Sequence, residues 1–126
     1  MPGAIIQKNP KLEAVYDILI DDGGRFKYIL CKVYDPEKPE DSKIIVRGMK
    51  TADFHSDIYD ELDTQLEEYG LVCECLGGGK IYHDSSSKEI EVYGKSQGYG
   101  PANHALTVDI LKKKYCDYVG ITWKEG

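Results

Sequence analysis

The stretch TADFHSDIYDELDTQLEEY, residues 51–69, has the helical period that distinguishes this sequence from an all-β one. Its apolar side chains recur every three or four residues: Phe54, Ile58, Leu62, Leu66 and Tyr69. This spacing places them on one face of an α-helix, so we predict a helix over residues 51–69 with one buried face. Thr51 or Asp53 is the expected N-cap, and Gly70 is expected to end the helix.

The segments on both sides of this helix are rich in β-branched and aromatic residues. We predict strands over residues 15–20, 25–34, 43–48, 71–76, 79–83, 89–94 and 118–123. Residues 21–24 are expected to join the first two strands as a hairpin, and residues 35–42 to form a surface loop. A second helix is expected over residues 108–115, capped by Thr107. These seven segments and two helices predict an α+β, or mixed α/β, fold with a single mixed sheet of about six strands and the helices packed on it.

Length and composition predict one domain spanning residues 1–126, because 126 residues with 41% hydrophobic content suit a single core. Residues 1–11 include Pro2, Gly3 and Pro10, and we expect them to form a loose arm. No apolar run approaches the ~20 residues that cross a bilayer. The N-terminus also lacks a basic start followed by an apolar segment, so we expect a cytoplasmic protein.

The charge and the cysteines limit the classes of partner. A net charge of −6 disfavours nonspecific binding to nucleic acids and to anionic membranes. The four cysteines are expected to be reduced thiols, and the spacing of Cys73 and Cys75 is not that of a zinc site. A zinc site would be complete only if folding brought His83 and His104 to these cysteines. We therefore expect no metal, and for so small an acidic domain we expect a monomer.

His55 lies in the first turn of the predicted helix, at the boundary between the core and solvent. The positive end of the helix dipole disfavours a protonated imidazole there. The neighbouring carboxylates of Asp53 and Asp57 favour it. Two interpretations stay open from the residues alone: a general base, and a boundary histidine at the start of the helix.

Two cations and a loop have the chemistry to bind an anion. Lys27 lies between Phe26 and Tyr28 in an apolar strand, so it either meets an anion or reaches solvent at the sheet edge. Arg47 suits a phosphate or carboxylate, or one of the acids of the helix. In KSQGYG, residues 95–100, glycines near Ser96 free backbone N–H groups for an anion, although a flexible loop fits the same pattern.

The glycine run in CLGGGK, residues 75–80, is not a nucleotide-binding P-loop. That motif requires Ser or Thr and a helix after its lysine, whereas Lys80 is followed by Ile81 and a predicted strand. We expect the three glycines to form a tight turn or a β-bulge.

Five stretches together resemble the small phosphohistidine phosphatase family, also called the janus family. They are GRFKYIL (24–30), IVRGMK (45–50), FHSDIYD (54–60), CECLGGGKI (73–81) and VYGKSQGYGPANHA (92–105). They keep one order and cover nearly the whole chain from about residue 15. The resemblance implies a hydrolase without cofactor that removes phosphate from phosphohistidine, and whose partners are histidine-phosphorylated proteins.

The resemblance also implies roles for individual residues. His55 matches the proton-accepting histidine of the family, and Lys27 matches its substrate-binding lysine. The phosphate-binding loop corresponds to Ser96, Gln97 and Gly98.

Two further residues, Arg47 and His104, fall on positions that line the family's site. The chain departs from the family pattern at Met49, Thr51 and Gly98, where Tyr, Trp and Ala are expected. These departures bear on substrate preference more than on the chemistry.

The main alternative is a non-catalytic module that binds phosphorylated proteins with the same pocket. Such a module would keep Lys27 and the loop around Ser96 but would not require His55 as a base. Because His55 is present in its matching context, the sequence favours the enzyme.

Overall fold

The fold is a six-stranded mixed β-sheet with helices on both faces, seen in a computed structural model that describes residues 9–125. Its elements, in chain order, are α1 (Pro10–Glu13), β1 (Ile18–Leu19), β2 (Gly23–Asp35), β3 (Lys38–Met49), α2 (His55–Glu67), β4 (Val72–Asp84), β5 (Glu89–Tyr93), α3 (His104–Lys114) and β6 (Gly120–Trp123). The strand order is β1-β3-β2-β4-β5-β6. The pairs at the two ends are parallel and the inner pairs antiparallel. The α+β prediction with one mixed sheet is confirmed, with the short α1 as an additional helix.

Alternate side chains of β2 build two separate cores. Tyr28 and Leu30 point to one face, where they pack with Val108 and Leu111 of α3. On the other face, the neighbouring β2 residues pack with three of the five apolar residues predicted for the buried helical face: Ile29, Cys31 and Val33 with Ile58, Leu62 and Leu66. The other two, Phe54 and Tyr69, are exposed and lie beyond the ends of α2, so the prediction was wrong for them. Because successive strand residues point to opposite faces, one strand supplies both cores.

The glycine run forms part of β4 and lies next to a β-bulge. Gly77 pairs with Leu30 and Cys75 with Cys31, so Leu76 is the extra residue of the bulge. The two strands predicted over residues 71–83 are therefore one strand, and the bulge is confirmed. A Cβ atom on Gly78 would lie 2.7 Å from His55 Cδ2, on the α2 side. Glycine is required here because side chains approach the backbone closely.

The predicted first hairpin is wrong. The strand expected over residues 15–20 contracts to β1, which pairs in parallel with β3 and not with β2. The chain is held there by Asp17, whose carbonyl accepts from the Val46 N–H at 2.9 Å. Ile18 is buried in the α3-side core, so burial of this side chain favours the edge position beside β3 over the expected turn.

The surface loop predicted over residues 35–42 is also wrong at most of its positions. The β2 and β3 strands form a hairpin whose turn is Pro36 and Glu37, and Lys38 already pairs with Asp35. The register shifts between Tyr34 and Asp35, so the residues around Pro39 form an irregular part of β3. A bulge tolerates a proline that a regular strand would not.

The helices begin at residues other than those predicted. The α2 helix begins at His55, with Phe54 as N-cap, and the Phe54 N–H donates to Asp57 Oδ2 at 2.8 Å. Gly70, at φ +68°, follows its end. The side chain of Asn103, in place of the predicted Thr107, caps α3 by accepting from the Leu106 N–H.

The predicted N-terminal arm differs from the structure at its end. Pro10 and Lys11 are the first residues of α1, which Asn9 caps by accepting from the Lys11 N–H. The rest of the predicted arm, residues 1–8, lies outside the described residues. Within residues 9–125, no helix has the length and apolar character needed to cross a membrane.

Candidate active site

A pocket of about 560 Å³ opens where the N-terminus of α2, strands β2 and β4, and the loop before α3 meet. It brings together five of the seven predicted site residues: Lys27, His55, Ser96, Gln97 and Gly98. These residues come from three distant parts of the chain. The pocket therefore depends on the pairing of β2 with β4 and on the packing of α2 against them.

His55 is held at the first position of α2 by one hydrogen bond to the sheet. Its ring is buried, and Nε2 lies 2.9 Å from the carbonyl oxygen of Gly79. A carbonyl oxygen only accepts, so Nε2 carries the proton of the neutral ring and Nδ1 carries the lone pair. Nδ1 has no hydrogen-bond partner among residues 9–125. The ring is thus oriented by one nitrogen and leaves the other as a base.

The surroundings of His55 favour its neutral form. Burial lowers the pKa of His55, and the nearby charges of Lys27 and Lys80 lower it further, against the opposing effect of the Gly79 carbonyl. The helix acids do not reverse this, since the carboxylate of Asp57 is bound to the Phe54 N–H. The structure therefore favours a histidine that is a base at neutral pH over one held protonated by its acidic neighbours.

Three lysines surround the pocket without acidic partners. Lys27 and Lys80 are opposite each other on β2 and β4, and Lys95 precedes the loop. None of the three forms a salt bridge within the described part of the chain. In a chain of net charge −6, three unpaired cations around one pocket, with Asp53 as the acidic residue of its lining, create a local site for an anion.

Sequence reasoning missed Lys80 and Lys95. Lys80 was considered only as part of a P-loop motif, and its register opposite Lys27 was not visible without the strand pairing. Lys95 had a usable signal, because it directly precedes Ser96 in the loop that the sequence singled out.

The loop from Ser96 to Gly100 is closed by its own hydrogen bonds. The Ser96 N–H donates to Gly100 O at 3.2 Å, and the Gly100 N–H returns to Ser96 O at 2.9 Å. Ser96 Oγ accepts from the Tyr99 N–H at 3.1 Å. The N–H groups of Gln97 and Gly98 have no acceptor among the described residues, so these two, and not that of Ser96, are available to an anion.

Arg47 does not line this pocket, which corrects its predicted place. Its guanidinium is buried and donates to Tyr16 O at 2.7 Å and Val46 O at 3.0 Å. Burial lowers the pKa of Arg47. It borders a different cavity of about 230 Å³ beside α1 and the C-terminal half of α2. The side chain is held there because the segment before β1 lies along β3, so that Tyr16 of that segment and Val46 of β3 supply the carbonyl acceptors.

His104 is also outside the pocket, and its predicted place is corrected likewise. It lies at the start of α3 on the opposite face of the sheet, where Nδ1 is 2.6 Å from Tyr28 Oη and Nε2 is 2.7 Å from Gly94 O. Both ring nitrogens are therefore occupied. The reason is the pairing of α3 with the face that Tyr28 occupies, a contact that sequence spacing does not specify.

The residues considered for a metal are used otherwise. The ring nitrogens of His83 are bonded to Asp21 O at 2.8 Å and Tyr118 Oη at 2.6 Å. All four cysteines are free thiols. Across residues 9–125, no three His, Cys, Asp or Glu side chains are grouped as a metal site would need.

Comparison with known proteins finds a family that matches most of the chain. A model of the Janus/Ocnus family matches residues 12–119. The 14 kDa phosphohistidine phosphatase of Homo sapiens is 46% identical over 116 residues, which cover 89% of this chain and 92% of that protein. The protein of the same name from Sus scrofa is 44% identical and covers 90% and 93%. The sex-regulated protein janus-A of Drosophila pseudoobscura pseudoobscura is 44% identical and covers 85% and 74%.

Proposed function

The chain belongs to the Janus/Ocnus family, which confirms the resemblance found in the sequence, and we propose that it is a protein phosphohistidine phosphatase. It hydrolyses the P–N bond of phosphohistidine in proteins. The observation that carries this proposal is the single pocket in which a neutral histidine, unpaired lysines and free backbone N–H groups face one another.

Binding of the phosphoryl group is assigned to the loop and the lysines. The N–H groups of Gln97 and Gly98 hold phosphoryl oxygens, and Lys27 and Lys80 supply the opposite charge. Donors fixed before the substrate arrives stabilise the charge that develops on the equatorial oxygens without reorganisation during the reaction. Ser96 keeps the loop in shape through its contacts with Tyr99 and Gly100.

His55 is assigned the role of general base. The Nδ1 atom orients a water molecule in line with the P–N bond and accepts its proton, while the Nε2–H bond to Gly79 O keeps the ring in place. The bond from phosphorus to the new oxygen forms as the P–N bond breaks, and the imidazole of the substrate leaves with a proton taken from solvent. Burial, and then the charges of Lys27 and Lys80, support this role because they lower the pKa of His55.

The reaction is proposed to proceed without a metal ion. Protein cations and backbone donors already supply the positive charge that a phosphoryl group requires in this pocket. A chelator is therefore expected to leave the activity unchanged.

The test is phosphate release from a histidine-phosphorylated protein, measured with chelator present for the wild type and three variants. His55→Ala is expected to lose ~10²–10⁴-fold in kcat. Lys27→Ala is expected to raise KM about tenfold, for ~1.4 kcal/mol of lost binding. Lys32→Ala, an exposed lysine of the same strand outside the pocket, is the matched control and is expected to behave as the wild type.

The same experiment separates the enzyme from a binding module. A wild type that binds the phosphorylated protein but releases no phosphate would establish the module in place of the enzyme. Full activity of His55→Ala would exclude this histidine as the base. Loss of activity on chelation, restored by a divalent metal, would contradict the metal-free mechanism.

The proposal extends to the working form of the protein, a monomer in the cytoplasm with histidine-phosphorylated proteins as partners and no role in nucleic-acid binding. One chain supplies every residue assigned to the pocket, and its free thiols suit a reducing compartment. Light scattering at working concentration, cell fractionation and a nucleic-acid binding assay test these statements in turn. A stable dimer, an exported protein or tight nucleic-acid binding would contradict the corresponding one.

A further inference from the structure

Three of the four cysteines lie together on one face of two neighbouring strands. Cys31 belongs to β2, and Cys73 and Cys75 belong to β4. All three pack against the core between the sheet and α2. The fourth cysteine, Cys116, is exposed beyond the end of α3 and belongs to neither core. The catalytic roles assigned to the pocket use none of these thiols.

Cys31 and Cys75 are directly opposite each other in the antiparallel ladder. Directly opposed residues of such strands have Cα atoms ~4.5–5.5 Å apart. This separation falls within the range of ~4.4–6.8 Å that a disulfide spans. Cys73 is opposite Val33, so it lies two residues along the strand from Cys75 and diagonal to Cys31. The register thus selects one pair from the three thiols.

The two thiols of this pair differ in access to solvent and in acidity. Cys31 is fully buried, whereas Cys75 is half-buried. The interaction between the two thiols, together with burial, raises the pKa of Cys31, and the same interaction lowers the pKa of Cys75. The Cys75 thiol donates a hydrogen bond to Gly77 O, with 3.6 Å between sulfur and oxygen. Oxidation follows thiolate character and exposure, so Cys75 is the thiol that reacts first.

We propose that Cys31 and Cys75 form a reversible oxidation site, in which a hydroperoxide converts the opposed thiols into a cross-strand disulfide. In the first step the sulfur of Cys75 attacks the peroxide, forming a sulfenic acid and releasing water or an alcohol. In the second step the sulfur of Cys31 attacks that of Cys75, and the sulfenic hydroxyl leaves as water with the thiol proton. The two thiols lose two electrons and the peroxide is reduced by two. A low-molecular-weight thiol reverses the reaction by exchange.

The inference is independent of the phosphatase activity, so its readouts are mass and thermal stability. A disulfide between Cys31 and Cys75 closes a long loop of chain and raises Tm by constraining the unfolded state. A sulfenic acid on Cys75 alone closes no loop, so it is not expected to raise Tm.

The experiment treats the fully reduced protein with about one equivalent of hydrogen peroxide and maps the products by mass spectrometry after blocking free thiols. Wild type, Cys73→Ser and Cys116→Ser are expected to lose ~2 Da through a disulfide of the Cys31 and Cys75 peptides. Their Tm should rise by roughly 5 °C or more and return after reduction. Cys31→Ala is expected to gain ~16 Da on Cys75 with no rise in Tm.

Cys75→Ser is the second variant. It keeps the test valid if Cys31→Ala, which changes a buried residue, impairs folding. It should show neither the disulfide nor the sulfenic acid at this pair. Blocking of both Cys31 and Cys75 as free thiols after treatment of the wild type would overturn the proposal. A disulfide that joins Cys73 or Cys116 instead would overturn it as well.

Discussion

His55 and His104 lie on opposite faces of the same glycine run, and they differ in whether a ring nitrogen keeps its lone pair unbonded within the protein. Both are buried, with 8% and 5% of their surfaces exposed. Each stands at the first position of a helix, and each is bonded through Nε2 to a backbone carbonyl, of Gly79 and of Gly94. The Nδ1 atom makes the difference, because that of His104 is bonded to Tyr28 Oη, whereas that of His55 has no partner among residues 9–125.

Burial and position in a helix therefore do not determine whether a histidine of this protein keeps an unbonded ring nitrogen. A ring with both nitrogens bonded inside the protein joins two elements and has no lone pair left for a substrate. A ring with one nitrogen bonded is oriented and still reactive. The lysines beside His55 strengthen this contrast by keeping its ring neutral.

The change with the greatest predicted cost in stability is made at His104. His104→Ala leaves a cavity and a Gly94 carbonyl without its partner, and the buried Tyr28 hydroxyl keeps only Thr107 Oγ1, so the free energy of unfolding should fall by about 3–5 kcal/mol. His55→Ala frees one carbonyl at the edge of an open pocket and should cost only ~1 kcal/mol. Urea unfolding measures both. A loss in His55→Ala equal to that in His104→Ala would contradict the comparison.

The second prediction uses the two glycines that face the two histidines. A Cβ on Gly79 would lie 2.5 Å from Tyr93 O and 2.7 Å from His104 Cε1, so Gly79→Ala should cost about 2–3 kcal/mol of stability. Gly78→Ala should displace the His55 ring, and kcat measured on the folded protein should fall more than in Gly79→Ala. Gly23→Ala, where a Cβ meets nothing within 4 Å, is the control. Equal kcat in the Gly78 and Gly79 variants would count against the assignment of the two faces.

A third prediction sharpens the comparison through pH. The pKa of His55 is lower in the folded protein than its ordinary value of 6.5, so between these two values the unfolded chain binds more protons. The contribution of His55 to stability is therefore complete above pH ~6.5 and is lost as the pH falls towards the folded value. The kcat/KM should follow the neutral form and fall only below pH 6.5. NMR titration of the His55 ring checks the midpoint, and a midpoint above 6.5 would contradict the expectation.

The smallest expected effect concerns the stiffness of the loop beside His55. A Cβ on Gly98 would meet nothing within 4 Å, and its backbone is outside the left-handed region, so Gly98→Ala should gain about 0.4–1 kcal/mol of stability. Because this variant restores the alanine of the family pattern, KM is expected to stay equal or fall. Gly100→Ala is the control that should lose stability, since Gly100 has φ +78°. Thermal unfolding and KM measurements decide, and a destabilised Gly98→Ala would show that the loop requires glycine there.

Much of the fold followed from local pattern, and its errors share one cause. The helical period over residues 51–69 and the strand compositions identified α2 and the sheet, because periodicity is a property of neighbouring residues. The predicted partner of β1 was wrong, because the position of this two-residue strand depends on the burial of Ile18 and not on the turn that follows it. The extension of β3 to Lys38 was missed because its proline and charged residues are typical of a loop.

The predictions for the candidate site also succeeded where they rested on local pattern and failed where they depended on contacts between distant segments. Residues within the motifs of His55 and Ser96 were found because each motif is continuous in sequence. Lys80 was missed, and Arg47 was placed in the wrong cavity, because strand register and the path of β1 determine what these side chains meet.

The α+β class, the buried residues Ile58, Leu62 and Leu66 of α2, and the family could all be inferred from the amino-acid sequence. The face of the sheet that each side chain occupies depends on the tertiary structure. That structure separated His104 from His55, put Lys80 opposite Lys27, and brought Cys31 to Cys75. The physical reason is that hydrophobic period and turn chemistry act over a few residues, whereas register and hydrogen-bond partners arise between segments far apart in the chain.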